Sequence, residues 1–218
     1  MHETTGARIS DSYFEYKADF LNPVFDAWAE PNPLARSLFQ SLRKWGITLA
    51  DVSWSKEPRN LKEIQLTISV LQMNAAVQLG VDSAIFLASN ADWSRAPALV
   101  ELFDTAMASI RQVSGAQLAS QETVLAFHLV PGQEDLGRLT QNLVNADILG
   151  PARMYGISLY REDSSLVIDG SLRYVGGIFM RINRRFSEST SFSEIAATLY
   201  KDELRSLDLL GLGKLISE

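Results

Sequence analysis

The sequence predicts an α+β protein: two β-meanders, each followed by a long amphipathic helix, with antiparallel sheet packed against the helices. Three observations carry this. Apolar and polar residues alternate from Glu63 to Val70, the period of a half-buried strand. Two later stretches carry apolar residues at helical spacing over four turns or more. The halves, about 47–115 and 152–213, then read as a degenerate duplication within one compact unit of 218 residues, with 1–12 a flexible start.

The elements follow in order. Tyr13 to Trp28 mixes aromatics and acids around Asn22-Pro23 and reads as strand plus irregular chain. Asn32-Pro33 offers a side-chain cap and a proline suited to a first helical turn. Leu34, Leu38, Leu42 and Trp45 follow on one face, and Gly46 closes the helix. Ile64, Leu66, Ile68 and Val70 form the inner side of a strand. Beyond Val70 the apolar phase slips by one residue, which predicts a bulge or short turn before Ala75, Val77 and Leu79. Gly80-Val81-Asp82 turns the chain, and Ile85 and Leu87 belong to the next strand.

Asn90-Ala91-Asp92 opens a helix whose stripe is Leu99, Leu102, Phe103, Ala106, Met107, Ile110 and Val113, ended by Gly115. A strand from Thr123 to Val130 stops at Pro131-Gly132. A shorter helix carries Leu136, Leu139 and Leu143, and Gly150-Pro151 marks the next break. The second half begins with a strand near Met154 to Arg161 and a turn at Asp163-Ser164-Ser165. One long alternating run then extends from Leu166 to Phe186. Ser191-Phe192-Ser193-Glu194 has the spacing of a capping box, and Ile195, Ala196, Leu199, Tyr200, Leu204 and Leu207 follow as the buried stripe.

Composition narrows the class. Hydrophobic residues make up 46% and charged residues 21%, as in ordinary globular domains. Cysteine is absent, which removes thiolate nucleophiles, disulfides, thiolate zinc sites and cysteine-ligated clusters. The net charge of −6 repels nucleic acid and anionic lipid. Met1 to Ser12 lacks an apolar signal core, and no apolar stretch reaches the roughly 20 residues needed to span a bilayer. The expectation is a soluble bacterial protein of the cytoplasm, off the membrane and without nucleic acid.

Few residues carry chemistry. His128 stands on an expected strand beside Val124, Ala126 and Val130; it is the one candidate for proton transfer, against the plainer reading of a packed histidine. The sequence has no Gly-x-Ser-x-Gly elbow, no Gly-x-Gly-x-x-Gly and no Walker loop. Gly211-Leu212-Gly213-Lys214 follows a helix rather than a strand, so no nucleotide or other cofactor is implied. Glu134-Asp135 and Asp202-Glu203 read as solvated helix surface rather than catalytic or metal-binding pairs, and no metal site is expected. Trp54 reads as core or as an interface marker. Arg173, Arg181 and Arg185 share one parity of the run before the last helix, with Arg184 on the other. A regular strand would line up three guanidiniums able to grip phosphate or carboxylate.

Thr123–Pro131 followed by a short helix, the run Gly176-Gly177-Ile178-Phe179-Met180-Arg181-Ile182, and Asp202-Glu203-Leu204 in the closing helix give a layout. That layout resembles a family of uncharacterised bacterial proteins described as sporadically distributed. The resemblance implies the α+β architecture and transfers no activity and no catalytic residue. Two functions stand. The first is a non-enzymatic binding or assembly module with a protein partner or a second copy of itself. The alternative is an enzyme or binding protein for a small anionic ligand held by Arg173, Arg181 and Arg185, with His128 as acid or base.

Overall fold

The structure, a computed structural model, describes residues 8–55, 60, 63–90, 96–130 and 156–210. Its strands are β1 (Arg8–Phe20), β2 (Val52–Trp54), β3 (Leu66–Val70), β4 (Ala75–Leu79), β5 (Ser83–Ser89), β6 (Leu118–Val130), β7 (Ile157–Tyr160), β8 (Ser164–Gly170) and β9 (Ile178–Phe186). The α-helices are α1 (Phe25–Ala29), α2 (Pro31–Leu42), α3 (Ala96–Ser114) and α4 (Phe192–Leu209). The strands form a large sheet in the order β2-β3-β4-β5-β1-β6-β9-β8-β7, which bears out the α+β class. The predicted short helix at Leu136–Leu143 and the Gly211–Lys214 stretch lie outside the described residues, as do Pro131, Gly132, Glu134, Asp135, Gly150, Pro151 and Trp93.

By contact density the chain forms two units, and β1, β6, β9 and α4 contribute residues to both. The first unit comprises Phe14–Thr123 and Arg185–Ala196. Its core is an aromatic cluster. Tyr16 and Phe192 meet edge to face at 4.9 Å, Phe103 and Phe192 likewise at 5.0 Å, and Phe86 lies 5.0 Å from Phe103. Such perpendicular pairs set the positive ring edge against the negative ring face. Of the strand expected from Glu63 to Val70, Leu66–Val70 is present, and Ile64 lies before it. The phase slip after it is a turn at Leu71–Asn74, in which Asn74 takes φ 49°, a left-handed conformation that asparagine tolerates better than most residues. Gly46 and Gly115 end their helices at φ 76° and 66°, as the sequence indicates.

Several boundaries differ from the sequence reading. α2 starts at Pro31 with Glu30 before it, not at the Asn32 cap. Pro31 and Pro33 both fit its first turn, where amide hydrogens have no helical acceptor. β1 begins at Arg8 and runs through Phe20, and the irregular stretch after it holds the short helix α1. Trp28 donates its indole N–H to Gly80 O at 3.2 Å and packs edge to face on Trp54 at 5.7 Å, on β2.

The second unit comprises Met1–Tyr13, Val124–Arg184 and Ala197–Glu218. Here the run from Leu166 to Phe186 is two antiparallel strands, β8 and β9, paired from Ser164↔Arg184 to Gly170↔Ile178. The break has a local cause. Ser171 Oγ captures the backbone N–H groups of Arg173 at 3.2 Å and Tyr174 at 3.0 Å, Gly176 sits at φ 71°, and Ser171 N–H bonds Gly177 O to close the turn. Gly177 has no room for a side chain, because a Cβ there would lie 2.7 Å from Leu129 O.

The capping box at Ser191 and Glu194 is present: Ser191 N–H donates to Glu194 Oε2 at 2.9 Å, and Glu194 N–H to Ser191 Oγ at 3.3 Å. The stripe beyond it differs from the apolar one expected. Ile195, Leu199 and Leu207 are buried, but Tyr200 is 39% exposed, and Asp202, Glu203 and Ser206 are buried in its place. Asp202-Glu203 is therefore not solvated helix surface. The burial of Asp202 follows from its partner, Arg184, described below.

Candidate functional site

In the second unit the β7–β8–β9 meander places residues in cross-strand rows. Register pairs Ile157 with Ile168 and Ile168 with Met180; the next row is Leu159, Leu166 and Ile182. The row after that changes character. Arg161 N–H donates to Ser164 O at 2.7 Å, and Ser164 pairs with Arg184, so the row reads Arg161, Ser164, Arg184. An apolar face thus ends in a basic row, because residues two apart on a strand share a side of the sheet.

A cavity of about 300 Å³ lies over these two rows. Leu159, Leu166 and Ile182 line it from the sheet, and Asp202, Arg205 and Ser206 line it from α4. Arg161 and Arg184 complete the rim. Arg184 holds Asp202 with two parallel bonds, from Nε to Oδ2 and from Nη2 to Oδ1, the latter at 2.8 Å. That fork matches carboxylate geometry, and the hydrogen bonds to Asp202 raise the Arg184 pKa further above its already high value. With Asp202 taken, two positive charges remain. Neither Arg161 nor Arg205 has an ion-pair partner among the described residues. Asp163, in the same turn as Arg161, accepts a bond from Ser164 Oγ at 3.1 Å; its charge adds to the raised Arg184 pKa, and it does not line the cavity. The arrangement can hold a small anionic group above an apolar floor.

The arginines singled out in the sequence are placed otherwise. Arg173 lies in the turn after β8, not on β9, and its guanidinium is 3.4 Å from Asp11. Arg181 donates to Asn183 Oδ1 at 3.0 Å on the exposed side of β9. Arg185 belongs to the first unit, where it pairs with Glu122 at 2.8 Å. The row of three on one regular strand is broken because the run turns at Ser171. Arg184, on the other parity, is the arginine of that run that reaches the cavity.

His128 sits against this turn. Both acceptor positions of Ser171 Oγ are filled by the two turn amides, so its own hydrogen goes to His128 Nδ1, 2.9 Å away. The imidazole then carries its proton on Nε2. Burial pushes its pKa below the ordinary 6.5; nearby Asp11 opposes the shift and Arg173 adds to it. Tyr174 and Phe179 flank the ring at 5.7 and 5.0 Å, and the Tyr174 hydroxyl donates to Asp11 while accepting from Ser10 at 3.0 Å. Ser171 is held as a turn residue, with no lone pair left for attack. His128 does not line the arginine cavity.

The first unit has a cavity of about 370 Å³ whose rim holds Asp104, Arg111 and Glu188, two acids to one arginine. Its polar floor is satisfied internally. Tyr16 donates to Gln121 Oε1, and Gln121 Nε2 gives its hydrogens to Ser187 O at 2.5 Å and Thr190 O at 3.0 Å. Burial raises the pKa of Tyr16 well above the ordinary phenol range and that of Asp104 above its ordinary value, and Arg111 opposes both shifts. Among the described residues, no three His, Asp or Glu side chains are placed to hold a metal ion, and no helix is long and apolar enough to cross a membrane.

No family model matches the sequence, and no curated protein matches it. The functional reading therefore rests on the geometry of the arginine cavity.

Proposed function

We propose that the protein is a non-enzymatic binding module whose ligand presents an anionic group to Arg161, Arg184 and Arg205. The observation that carries this is the convergence of three guanidiniums on one cavity in which Asp202, the one carboxylate among the described lining residues, is already held. A phosphate or carboxylate entering there meets planar donors that engage it in pairs, and an apolar floor accepts whatever carbon the anion is attached to. The cavity is at the small end of ligand sites, sized for one group rather than a dinucleotide. Among the described residues no histidine lines it beside Ser164 and Ser206, which favours binding over acyl transfer. The layout resemblance to the sporadically distributed bacterial family adds no activity to this reading.

Isothermal titration with inorganic phosphate and with succinate tests it. Saturable binding that weakens with salt, and at least about tenfold in Arg205→Gln, is the expected result. Arg205 is exposed, so that variant should keep its fold. Absence of binding by the wild type, or binding that Arg161→Gln and Arg205→Gln leave unchanged, would overturn the proposal.

A further inference from the structure

The open side of β7 says how an anion could be delivered. β7 is the last strand in the sheet order, and among the described residues no strand pairs with its outer edge. The bond from Arg161 N–H to Ser164 O fixes which backbone groups point where. In an antiparallel ladder, hydrogen-bonded pairs alternate with pairs that make no bond to each other. With 161/164 bonded, 159/166 and 157/168 are bonded as well. The register pairs Tyr160 with Ser165 and Ser158 with Val167 at the intervening positions. Ser158 and Tyr160 therefore turn their N–H and C=O groups away from β8, and both residues are exposed.

We infer, building on the anion-binding reading above, that the ligand is an extended peptide that adds as a strand to β7 and sets an acidic side chain among Arg161, Arg184 and Arg205. Edge pairing supplies affinity through the backbone, and side-chain pockets supply selection. A strand beside β7 continues both rows of the face. The residue next to Leu159 rests against the apolar floor, and the residue next to Arg161, two positions away on the same side, reaches the basic rim. The pattern read is one acidic and one apolar residue separated by a single residue. Leu159 is 53% exposed and Tyr160 75% exposed, so each side of the edge has apolar area for such a chain to cover.

The test uses a fluorescein-labelled, blocked peptide, Thr-Val-Thr-Glu-Thr-Val-Thr, which presents the pattern in either strand direction, and the same peptide with lysine for glutamate. Anisotropy should show saturable binding of the first, at least about tenfold tighter than the second. Ser158→Pro removes one outward N–H without touching a bond to β8, a substitution that sheet edges tolerate. It should weaken the peptide about tenfold and leave phosphate affinity within about twofold, while Ser158→Ala changes neither. As a measure independent of any variant, the peptide is prepared N-methylated at odd or at even positions. Only one of the two should still bind, because alternate amides face β7. If phosphate binds but the glutamate peptide does not, or both methylated forms bind alike, the strand inference is overturned and the anion site stands. If the wild type binds neither phosphate nor succinate, the anion reading itself fails.

Discussion

Two three-stranded meanders in this molecule share a topology and differ in what they bury. In β3–β4–β5 the rows facing the core are Leu66·Leu79·Ala84, Ile68·Val77·Phe86 and Val70·Ala75·Ala88, and every member is buried. In β7–β8–β9 the corresponding rows are Ile157·Ile168·Met180, Leu159·Leu166·Ile182 and Arg161·Ser164·Arg184. Ile168, Met180 and Ile182 are buried there, and exposure grows toward β7. The first meander sets alanines beside larger side chains in two of its rows and fills its face. The second keeps one filled corner and leaves the rest as a charged, partly open surface. One strand arrangement is thus a packed wall in the first unit and a partly open, charged surface in the second.

The largest expected effect breaks the wall. Phe103, 1% exposed and in contact with Phe86 and Phe192, should cost about 3–5 kcal/mol as Phe103→Ala, measured by urea unfolding, with phosphate affinity of the folded protein unchanged. A smaller effect is expected at the basic row. Arg184→Met leaves Asp202 buried without its fork. Breaking a buried pair costs about 3–5 kcal/mol, but the Arg184 side chain is 27% exposed, so about 1–3 kcal/mol is expected here. Adding Asp202→Leu should restore most of that loss and not the anion binding. Together these would turn the second meander's third row toward the character of the first's.

The smallest effect concerns pH. His128 has a folded pKa below the ordinary 6.5, so between those two values the unfolded chain binds the proton and the folded one does not. Stability should therefore fall as pH drops below about 6.5 and level off once the folded imidazole is protonated. Melting curves of His128→Gln from about pH 8 to pH 5 should lack this slope, since no group at 128 then titrates.

What the sequence made legible follows from how local each signal is. The alternation of β3, the glycines at 46 and 115, and the Ser191–Glu194 cap depend on neighbours within four residues, and each is where it was expected. The arginine site was not found, because the reading followed the parity that held the most arginines and counted Arg173 into it as if the chain ran straight through Ser171. Arg184 lies on the other parity, with Met180 and Ile182, the buried one. Spacing from Phe192 through Ile195 and Leu199 likewise carries Asp202 and Ser206 onto the buried face of α4. A basic residue on a buried strand face and an acidic one on a buried helix face were a signal that an apolar-only stripe overlooked. Arg161 and Arg205 carried no such mark; the register of β7 and the position of α4 bring them to the cavity.

The hydrogen bonds of Gln121 have a consequence for which substitutions the chain can accept over generations. Glutamine and glutamate differ by a single base in their codons and are near-equivalent on most surfaces. At this position the amide gives both hydrogens to Ser187 O and Thr190 O and receives the Tyr16 hydroxyl on its oxygen. Glutamate would set a second oxygen against two carbonyls with no donor between them, and each buried group left without a partner costs about 1–3 kcal/mol. Gln121→Glu is therefore disfavoured here, and the site suits a residue that can both give and receive hydrogen bonds.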